Sequence, residues 1–257
     1  MRFVILHYHF LKSAGMTLED ILRRSFITDA STGFASIDTQ DRDGHISHEE
    51  LIALLKDNPD LKAVSSHQIR YPVPQARGFI FFDLCFLRDP IDRVRSIHDY
   101  FREKPAPGDP VSDFANELPL GEFLAALIRE MPWYVSNAQV NLLANGIAND
   151  TPSPTDFDRA LAKMLRTSFL GVVDCFHESL VGGQYFLQPA FPELACFGDA
   201  ANATEGLRAT LAARKERVQA ACGLSVYEEL VRLNAMDSKL VDLAREEVMR
   251  RFRCVPA

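Results

Sequence analysis

Four residues near the start of the chain have the types and spacing to bind an anion. Lys12, Ser13, Gly15 and Thr17 follow an apolar run of strand length and come directly before a helical pattern. A loop of this kind exposes the first N–H groups of the helix, which attract phosphate together with the helix dipole. Lys12 adds a full positive charge. The order differs from a Walker A loop, in which four residues separate a first glycine from Gly-Lys-Ser/Thr, so a phosphate site of another kind is predicted.

A second segment predicts another anion-binding element. The apolar run Phe79–Leu87 has the length of a buried strand and ends directly before Arg88. Ligands of open parallel sheets bind at the carboxyl ends of the strands, which is where Arg88 would lie. Pro90 suits the first turn of the next helix, so Ser96 should lie about two turns into it. Two such elements after two strands predict a ligand with two separate phosphate groups.

These segments resemble those of the sulfotransferases that use 3′-phosphoadenosine 5′-phosphosulfate, especially the carbohydrate type related to heparan sulfate 2-O-sulfotransferases. Residues 11–18, Leu-Lys-Ser-Ala-Gly-Met-Thr-Leu, resemble the family's Pro-Lys-Thr-Ala-Gly-Thr-Ser-Leu loop. Arg88-Asp89-Pro90 with Arg93 and Ser96 is similar to its Arg-Asp-Pro-x-x-Arg-x-x-Ser segment. Further resemblances follow in order along the chain: Asn137-Ala138-Gln139, Phe169–Asp174 with Glu178-Ser179-Leu180, and Asn234–Leu240.

The resemblance implies a donor site and a role for each of its residues. Lys12 would bind the 5′-phosphosulfate and stabilise the negative charge that develops on the bridging oxygen. Arg88 and Ser96 would anchor the 3′-phosphate. Met16 replaces a hydroxyl residue of the family and so removes one possible phosphate donor. The residues predicted to bind the donor are Lys12, Ser13, Ala14, Gly15, Met16, Thr17, Leu18, Arg88 and Ser96, with no metal required.

Each of these residues also has a purely structural interpretation. Lys12 could be an ordinary exposed lysine. Arg88 could form an ion pair with Asp89 or Asp92, and Ser96 could bond to the backbone of its own helix.

The general base that takes the acceptor's proton is predicted to be a histidine. His67 follows a short strand pattern and matches a histidine that members of the family often carry after their second strand. A structural, inert histidine is the alternative interpretation of His67. His7 and His9 border the loop and are the next candidates, and alternation along a strand predicts that both point to the same face. His98, on the helix after Arg88, is a further candidate.

The segment 38–50 resembles an EF-hand calcium loop, with Gly44, Ile46 and Glu50 at positions six, eight and twelve. That register places Thr39 at position one, where a carboxylate is needed. We therefore favour an acidic turn that caps the helix Ser47–Lys56, with calcium binding as the alternative.

Alternation of strand and helix patterns predicts the fold. The class is α/β, a P-loop-like three-layer α/β/α arrangement with a parallel sheet of about four to five strands and extra C-terminal helices. Residues 104–118 and 186–204 are expected to be loops that determine acceptor specificity. The predicted strands are Arg2–Tyr8, Ala63–His67, Phe79–Leu87 and Ser168–Val173. The predicted helices are 16–25, 47–57, 90–103, 119–131, 134–145, 155–166, 175–186, 205–221, 226–233 and 237–252.

Composition predicts one enzyme domain over residues 1–257. The chain is 47% hydrophobic and 25% charged, and its net charge of −7 disfavours a general nucleic-acid surface. We expect no membrane span and no signal peptide, and the five cysteines lack metal-site spacing, so a cytoplasmic location is predicted. The expected partner is a carbohydrate or another hydroxyl-bearing acceptor, and the oligomeric state stays open.

Two other functions compete with a sulfotransferase. A nucleotide kinase would share the first strand, loop and helix, but it needs Gly-Lys-Ser/Thr and a magnesium carboxylate after a strand. A catalytically inactive or calcium-regulated nucleotide-binding protein is the non-enzyme alternative, which Met16 and the EF-hand-like loop keep open.

Overall fold

The computed structural model describes residues 1–28, 31–38, 45–146, 150–196 and 209–256. The chain forms two compact units. The first comprises Met1–Leu87, Ala162–Ala200 and Leu243–Ala257, and the second comprises Arg88–Leu161 and Ala201–Asp242. The single domain expected over residues 1–257 stays a prediction.

The first unit contains a sheet of five parallel strands, which confirms the predicted α/β class. The strand order is β4-β5-β1-β6-β7, so the N-terminal strand is central. A separate short antiparallel pair is formed by β2 and β3. The strands are β1 Arg2–Tyr8, β2 Ile27–Thr28, β3 Ser31–Thr32, β4 Phe34–Ser36, β5 Ala63–Ser66, β6 Phe79–Leu87 and β7 Phe169–Val172.

Helices follow the strands, as the alternating pattern predicted. Within the described ranges, no helix has both the length and the apolar character needed to cross a membrane. Single 3-10 turns lie at Pro132–Tyr134 and Val173–Cys175. The α-helices are α1 Gly15–Phe26, α2 His48–Asp57, α3 Pro90–Glu103, α4 Pro110–Glu117, α5 Leu120–Glu130, α6 Ala138–Ala144, α7 Pro154–Arg166, α8 Phe176–Leu187, α9 Leu211–Leu233 and α10 Ala235–Phe252.

The sheet is buried on both faces, as expected for a parallel sheet covered by helices. On one face, Ile5, Leu84 and Phe86 belong to a core cluster that also contains Leu22 of α1 and Leu187 of α8. The opposite face is also buried from solvent, at the alternating positions Val4, Leu6 and Cys85. The fold is therefore consistent with a three-layer α/β/α arrangement with extra C-terminal helices.

The sheet order identifies where a ligand is expected to bind. The connection that follows β1 leads to the edge of the sheet formed by β4. The connection that follows β6 leads to the opposite edge, formed by β7. Adjacent strands whose connections leave in opposite directions form a crevice at their carboxyl ends, and open α/β sheets bind ligands there. Within the first unit, the crevice beside β1 and β6 thus begins at the loop after β1 that the sequence singled out.

Several elements differ from the prediction. The segment 104–118, expected to be a loop, contains α4, because Asp109 caps this helix by accepting hydrogen bonds from Val111 N and Ser112 N. The predicted helices 205–221 and 226–233 form one range, α9, with a kink at Gly223 (φ 73°, ψ 170°), and residues 205–208 lie outside the described chain. Strand β4 is additional, and helix 134–145 is replaced by a 3-10 turn and α6.

Candidate active site

The loop between β1 and α1 has an unusual backbone. Lys12 and Ala14 both have positive φ, 61° and 62°, although neither is glycine. Ser13 N donates to Phe10 O at 3.1 Å, and Ala14 O accepts from Thr17 N at 3.1 Å, so this turn leads directly into the helix. Two left-handed residues within three positions carry a conformational cost, and such strain is concentrated at binding and catalytic loops.

The N-terminus of α1 has features of an anion site. Its N-cap, Ala14, forms no side-chain cap with the described residues, and the first turn contains no acidic residue. The first N–H groups of α1 therefore lack the side-chain partner that Ser47 supplies to α2 or Asp89 to α3. An anion bound at this end would satisfy them and interact favourably with the helix dipole.

Ser13 provides an independent indication of a ligand. Its side chain is only 2% exposed, and its hydroxyl has no hydrogen-bond partner among the described residues. A buried, unsatisfied polar group costs about 1–3 kcal/mol, so native proteins rarely contain one without a ligand or water. Met16, at the family's second hydroxyl position, is 57% exposed, while Thr17 is half-buried.

Three histidines, called here the histidine cluster, lie at the carboxyl ends of β1 and β5. They are His7, His9 and His67. The rings of His9 and His67 stack with a centroid distance of 3.8 Å, and those of His7 and His9 are 5.2 Å apart. The register pairs His7 with Ser65, which explains the proximity, because the strands are parallel and end at the same edge. The rings of His7, in β1, and His9, directly after it, lie on the same side of the chain, as strand alternation predicted.

Glu19 of α1 is hydrogen-bonded into this cluster. Its Oε1 atom accepts from Ser65 Oγ at 2.7 Å and from Ser36 Oγ at 3.2 Å, and lies 3.2 Å from Nδ1 of His9. Burial raises the pKa of Glu19, but hydrogen bonds from His9 and Ser65 outweigh it and lower this pKa to about 2. Ser65 Oγ also lies 2.8 Å from Nδ1 of His7. Glu19 is therefore an ionised group held by three neighbours, one of which also contacts His7.

His67, the predicted base, is held less tightly. Its backbone N–H donates to Asp38 Oδ1 at 2.7 Å, whereas its Nε2 atom lies 4.0 Å from Asp38 Oδ2. The side chain is 39% exposed. Burial of the ring and the nearby His9 lower the pKa of His67, and Asp38 acts in the opposite direction. A neutral imidazole in contact with solvent is chemically suited to accept a proton.

His7, His9 and Glu19 could also hold a metal ion. Each offers one ligand atom, and these three atoms lie within 4.8 Å of one another. Two histidines and a glutamate form a known set of zinc ligands. Nδ1 of His7, Nδ1 of His9 and Oε1 of Glu19 already form the hydrogen bonds described above, so an ion bound through these atoms would have to displace those bonds.

The second unit holds Arg88 in a defined position. The Gln139 side chain clamps its backbone, accepting from Arg88 N at 2.9 Å and donating to Arg88 O at 2.8 Å. The guanidinium of Arg88 donates to Asp92 Oδ2 at 2.8 Å, while the other oxygen of Asp92 accepts from Arg214 at 2.9 Å. Two guanidinium groups thus share one buried carboxylate. Ser96 is half-buried on α3.

The Asn137 and Asp237 motifs are explained by helix capping within the second unit. Asn137 Oδ1 accepts from the N–H groups of Met236 and Asp237 at the start of α10, both at 3.0 Å. In return, the Asp237 carboxylate accepts from Gln139 N and Val140 N at the start of α6, at 3.1 and 2.8 Å. Each helix thus supplies the cap of the other. These motifs have a structural role here and position Gln139, which holds Arg88.

Two other sequence candidates have structural partners. Nε2 of His98 lies 3.1 Å from the Leu118 carbonyl oxygen, and its ring packs against Phe123, so His98 belongs to the packing of the second unit. Ser47 and Glu50 form a reciprocal capping box at the start of α2, which confirms the predicted capping role. Residues 39–44 of the EF-hand-like segment lie outside the described chain.

Sequence reasoning did not find Glu19 or Ser65. Glu19 is one of two acidic residues on α1, beside Asp20, and only the fold shows that its side chain reaches the ends of β1 and β5. The signal that could have identified it is its position one turn into the helix that follows the loop, ten residues after His9.

Comparison with known proteins leaves the function open. No family model matches the chain. A protein of Archaeoglobus fulgidus, described only as uncharacterized, is 25% identical over 255 residues, which covers 95% of this chain and 98% of the relative. The resemblance thus extends over both proteins almost completely.

Proposed function

We propose that this protein is a sulfotransferase that moves a sulfuryl group from 3′-phosphoadenosine 5′-phosphosulfate to a hydroxyl or amine of an acceptor, preferably a carbohydrate. The observation that carries the proposal is the β1–α1 loop, which combines a lysine-first order, an uncapped helix N-terminus and the buried hydroxyl of Ser13. These features support an anionic ligand, and the ordered resemblance of the sequence supports the choice of donor.

In this proposal, the loop binds the 5′-phosphosulfate end of the donor. The residues concerned are Lys12, Ser13, Ala14, Gly15, Met16, Thr17 and Leu18. The acceptor oxygen attacks sulfur, the bond from sulfur to the bridging oxygen breaks, and the electron pair goes to the departing 5′-phosphate. Lys12 and the helix dipole stabilise that developing charge, so the step needs no metal. A histidine of the cluster takes the proton of the acceptor, and the sequence prediction names His67.

The 3′-phosphate is assigned to Arg88 and Ser96 by the resemblance. The ion pair of Arg88 with the buried Asp92, which also binds Arg214, supports this assignment, because it holds the planar guanidinium of Arg88 in a fixed orientation. Gln139 fixes the backbone of Arg88, so its guanidinium is attached to a rigid base. A cytoplasmic location and a role without nucleic acids remain part of the proposal.

The test is a screen for donor-dependent transfer to monosaccharides, oligosaccharides and small phenols, with mass detection of an added sulfate. We expect a product only when the sulfated donor is present, and about 100-fold less in Lys12→Ala, from the scale of a lost charge-stabilising group. Lys56→Ala, which removes an exposed lysine of α2, is the matched control.

Two results would contradict the proposal. Near-normal turnover in Lys12→Ala would remove this residue from the mechanism. Donor affinity unchanged in an Arg88→Ala, Ser96→Ala double variant would refute the 3′-phosphate assignment.

A further inference from the structure

We infer that His9, oriented by Glu19, is the general base of the proposed reaction, and that His67 packs on it without taking the proton. The inference rests on the proposed function for its substrate and on the geometry of the histidine cluster for its residues. It changes the role that the sequence assigned to His67.

The first argument concerns the fixed orientation of His9. Its Nδ1 atom lies 3.2 Å from Oε1 of Glu19, and the side chains of the two residues are only 9% and 19% exposed. Because a carboxylate oxygen accepts a hydrogen bond, this contact favours the tautomer with the proton on Nδ1. A carboxylate that binds one imidazole nitrogen leaves the other as a base, which is how acid–histidine pairs work on unrelated folds.

The second argument concerns the position of the other nitrogen. A Cβ atom built on Gly15 would lie 1.8 Å from Nε2 of His9, so this edge of the ring lies against the Gly15 backbone. Gly15 is the first residue of α1, the end proposed to bind the transferring group. In the described part of the chain, the hydrogen bond of His9 is made through Nδ1, and Nε2 has none. Nε2 is thus a base at the site of transfer.

The third argument concerns the support of Glu19. The hydroxyls of Ser65 and Ser36 both donate to the oxygen that faces His9. These bonds fix the carboxylate from β4 and β5, so its position relative to β1 is set by the sheet itself. His67 lacks a carboxylate at hydrogen-bond distance, because its Nε2 atom lies 4.0 Å from Asp38 Oδ2, and its ring bonds to the backbone of His9 instead.

The proton balance of the step is simple. The acceptor O–H bond breaks as the new O–S bond forms, and its proton moves to Nε2 of His9. The resulting imidazolium is stabilised by the ionised Glu19. The bridging oxygen leaves with the electron pair of the broken S–O bond, and the proton on His9 passes to solvent after the acceptor product departs.

The kinetic test compares His9→Gln with His67→Gln, a matched pair of neutral replacements. Donor hydrolysis, with water as acceptor, is followed as release of adenosine 3′,5′-bisphosphate, and the affinity for that product is measured separately. We expect kcat to fall about 100-fold or more in His9→Gln and less than tenfold in His67→Gln, with affinities within threefold of the original protein. A kcat within threefold in His9→Gln, or an equal or larger loss in His67→Gln, overturns the inference.

Glu19 is tested as a positioning residue. Glu19→Gln should lower kcat about tenfold or more without changing the product affinity, and Glu19→Asp should restore part of it. An unchanged kcat in Glu19→Gln overturns the role of the carboxylate. Activity that is lost on chelation and restored by Zn²⁺ would make His7, His9 and Glu19 metal ligands, and would overturn the inference as well.

A spectroscopic test needs no catalytic activity. Long-range ¹H–¹⁵N correlation spectra of the original protein should show the His9 proton on Nδ1, and Glu19→Gln should shift the ring towards the Nε2–H form. A proton on Nε2 in the original protein overturns the inference even if every variant misfolds. If the original protein binds no bisphosphate and releases none from the donor, the proposed function fails. The spectrum still reports separately whether Glu19 orients the His9 ring.

Discussion

Gly15→Ala tests the relation between the loop and His9 with a single methyl group. The added Cβ would lie 1.8 Å from Nε2 and Cδ2 of His9 and 2.7 Å from Cε1. Carbon and nitrogen atoms pack at about 3.5–4.0 Å, so the ring has to retreat by more than about 1 Å. Misplacing a catalytic group by 1 Å can cost about 100-fold in rate, and we expect a loss of kcat of that order.

The assay for Gly15→Ala is donor hydrolysis together with calorimetric binding of adenosine 3′,5′-bisphosphate. Product affinity should stay within threefold, because the proposal assigns the phosphate contact to the loop amides and not to the His9 ring. Alanine also has a better helix propensity than glycine by about 1 kcal/mol, so propensity would not cause unfolding. Gly182→Ala, where the nearest atom is 3.8 Å from the new Cβ, is the control. A kcat in Gly15→Ala within threefold of the original would refute the reasoning.

Three further predictions concern stability. Asp92→Ala should lower the free energy of unfolding by about 3–5 kcal/mol in urea titrations, because it leaves two guanidinium groups without their shared buried carboxylate; a loss under 1 kcal/mol would contradict this. Ser47→Ala removes half of the capping box of α2 and should lower the free energy of unfolding by about 1 kcal/mol. Ser153→Ala, which removes the exposed cap at the start of α7, serves as the comparison. The pKa of Glu19 in the folded protein is about 2, below its value in the unfolded chain. Ionised Glu19 should therefore stabilise the fold fully above about pH 5, and this stabilisation should be lost as the pH falls towards 2. Glu19→Gln should flatten that part of the pH–stability curve, and an identical curve would show that the carboxylate is not held as described.

The fold could be predicted from the sequence because its main strands are strong local signals. Strand β6, nine residues of mostly apolar side chains, and β1 were found with their observed bounds. Strand β4 has only Phe34–Ser36, too short to stand out by periodicity, and it exists because β5 pairs with it. Helix α4 was missed although Asp109-Pro110 is a recognised helix start, since the surrounding prolines and glycine dominated the local pattern.

The site was predicted only where it depends on neighbours in sequence. The loop after β1 and the position of Arg88 after β6 follow from local order. The contact of Glu19 with His9 depends on how the β1–α1 turn directs the helix, and its support by Ser65 depends on the parallel register of β1 and β5. The cross-capping of Asn137 and Asp237 joins residues 100 positions apart, which no local pattern encodes.

Calorimetric titration with adenosine 3′,5′-bisphosphate in the presence of a magnesium chelator tests the central claim most directly, because it requires no knowledge of the acceptor. The account predicts binding with one site per chain, weakened at least tenfold in Lys12→Ala, and no binding of ATP under the same conditions. Binding of ATP that needs magnesium, with no binding of the bisphosphate, would contradict it and favour a nucleotide kinase.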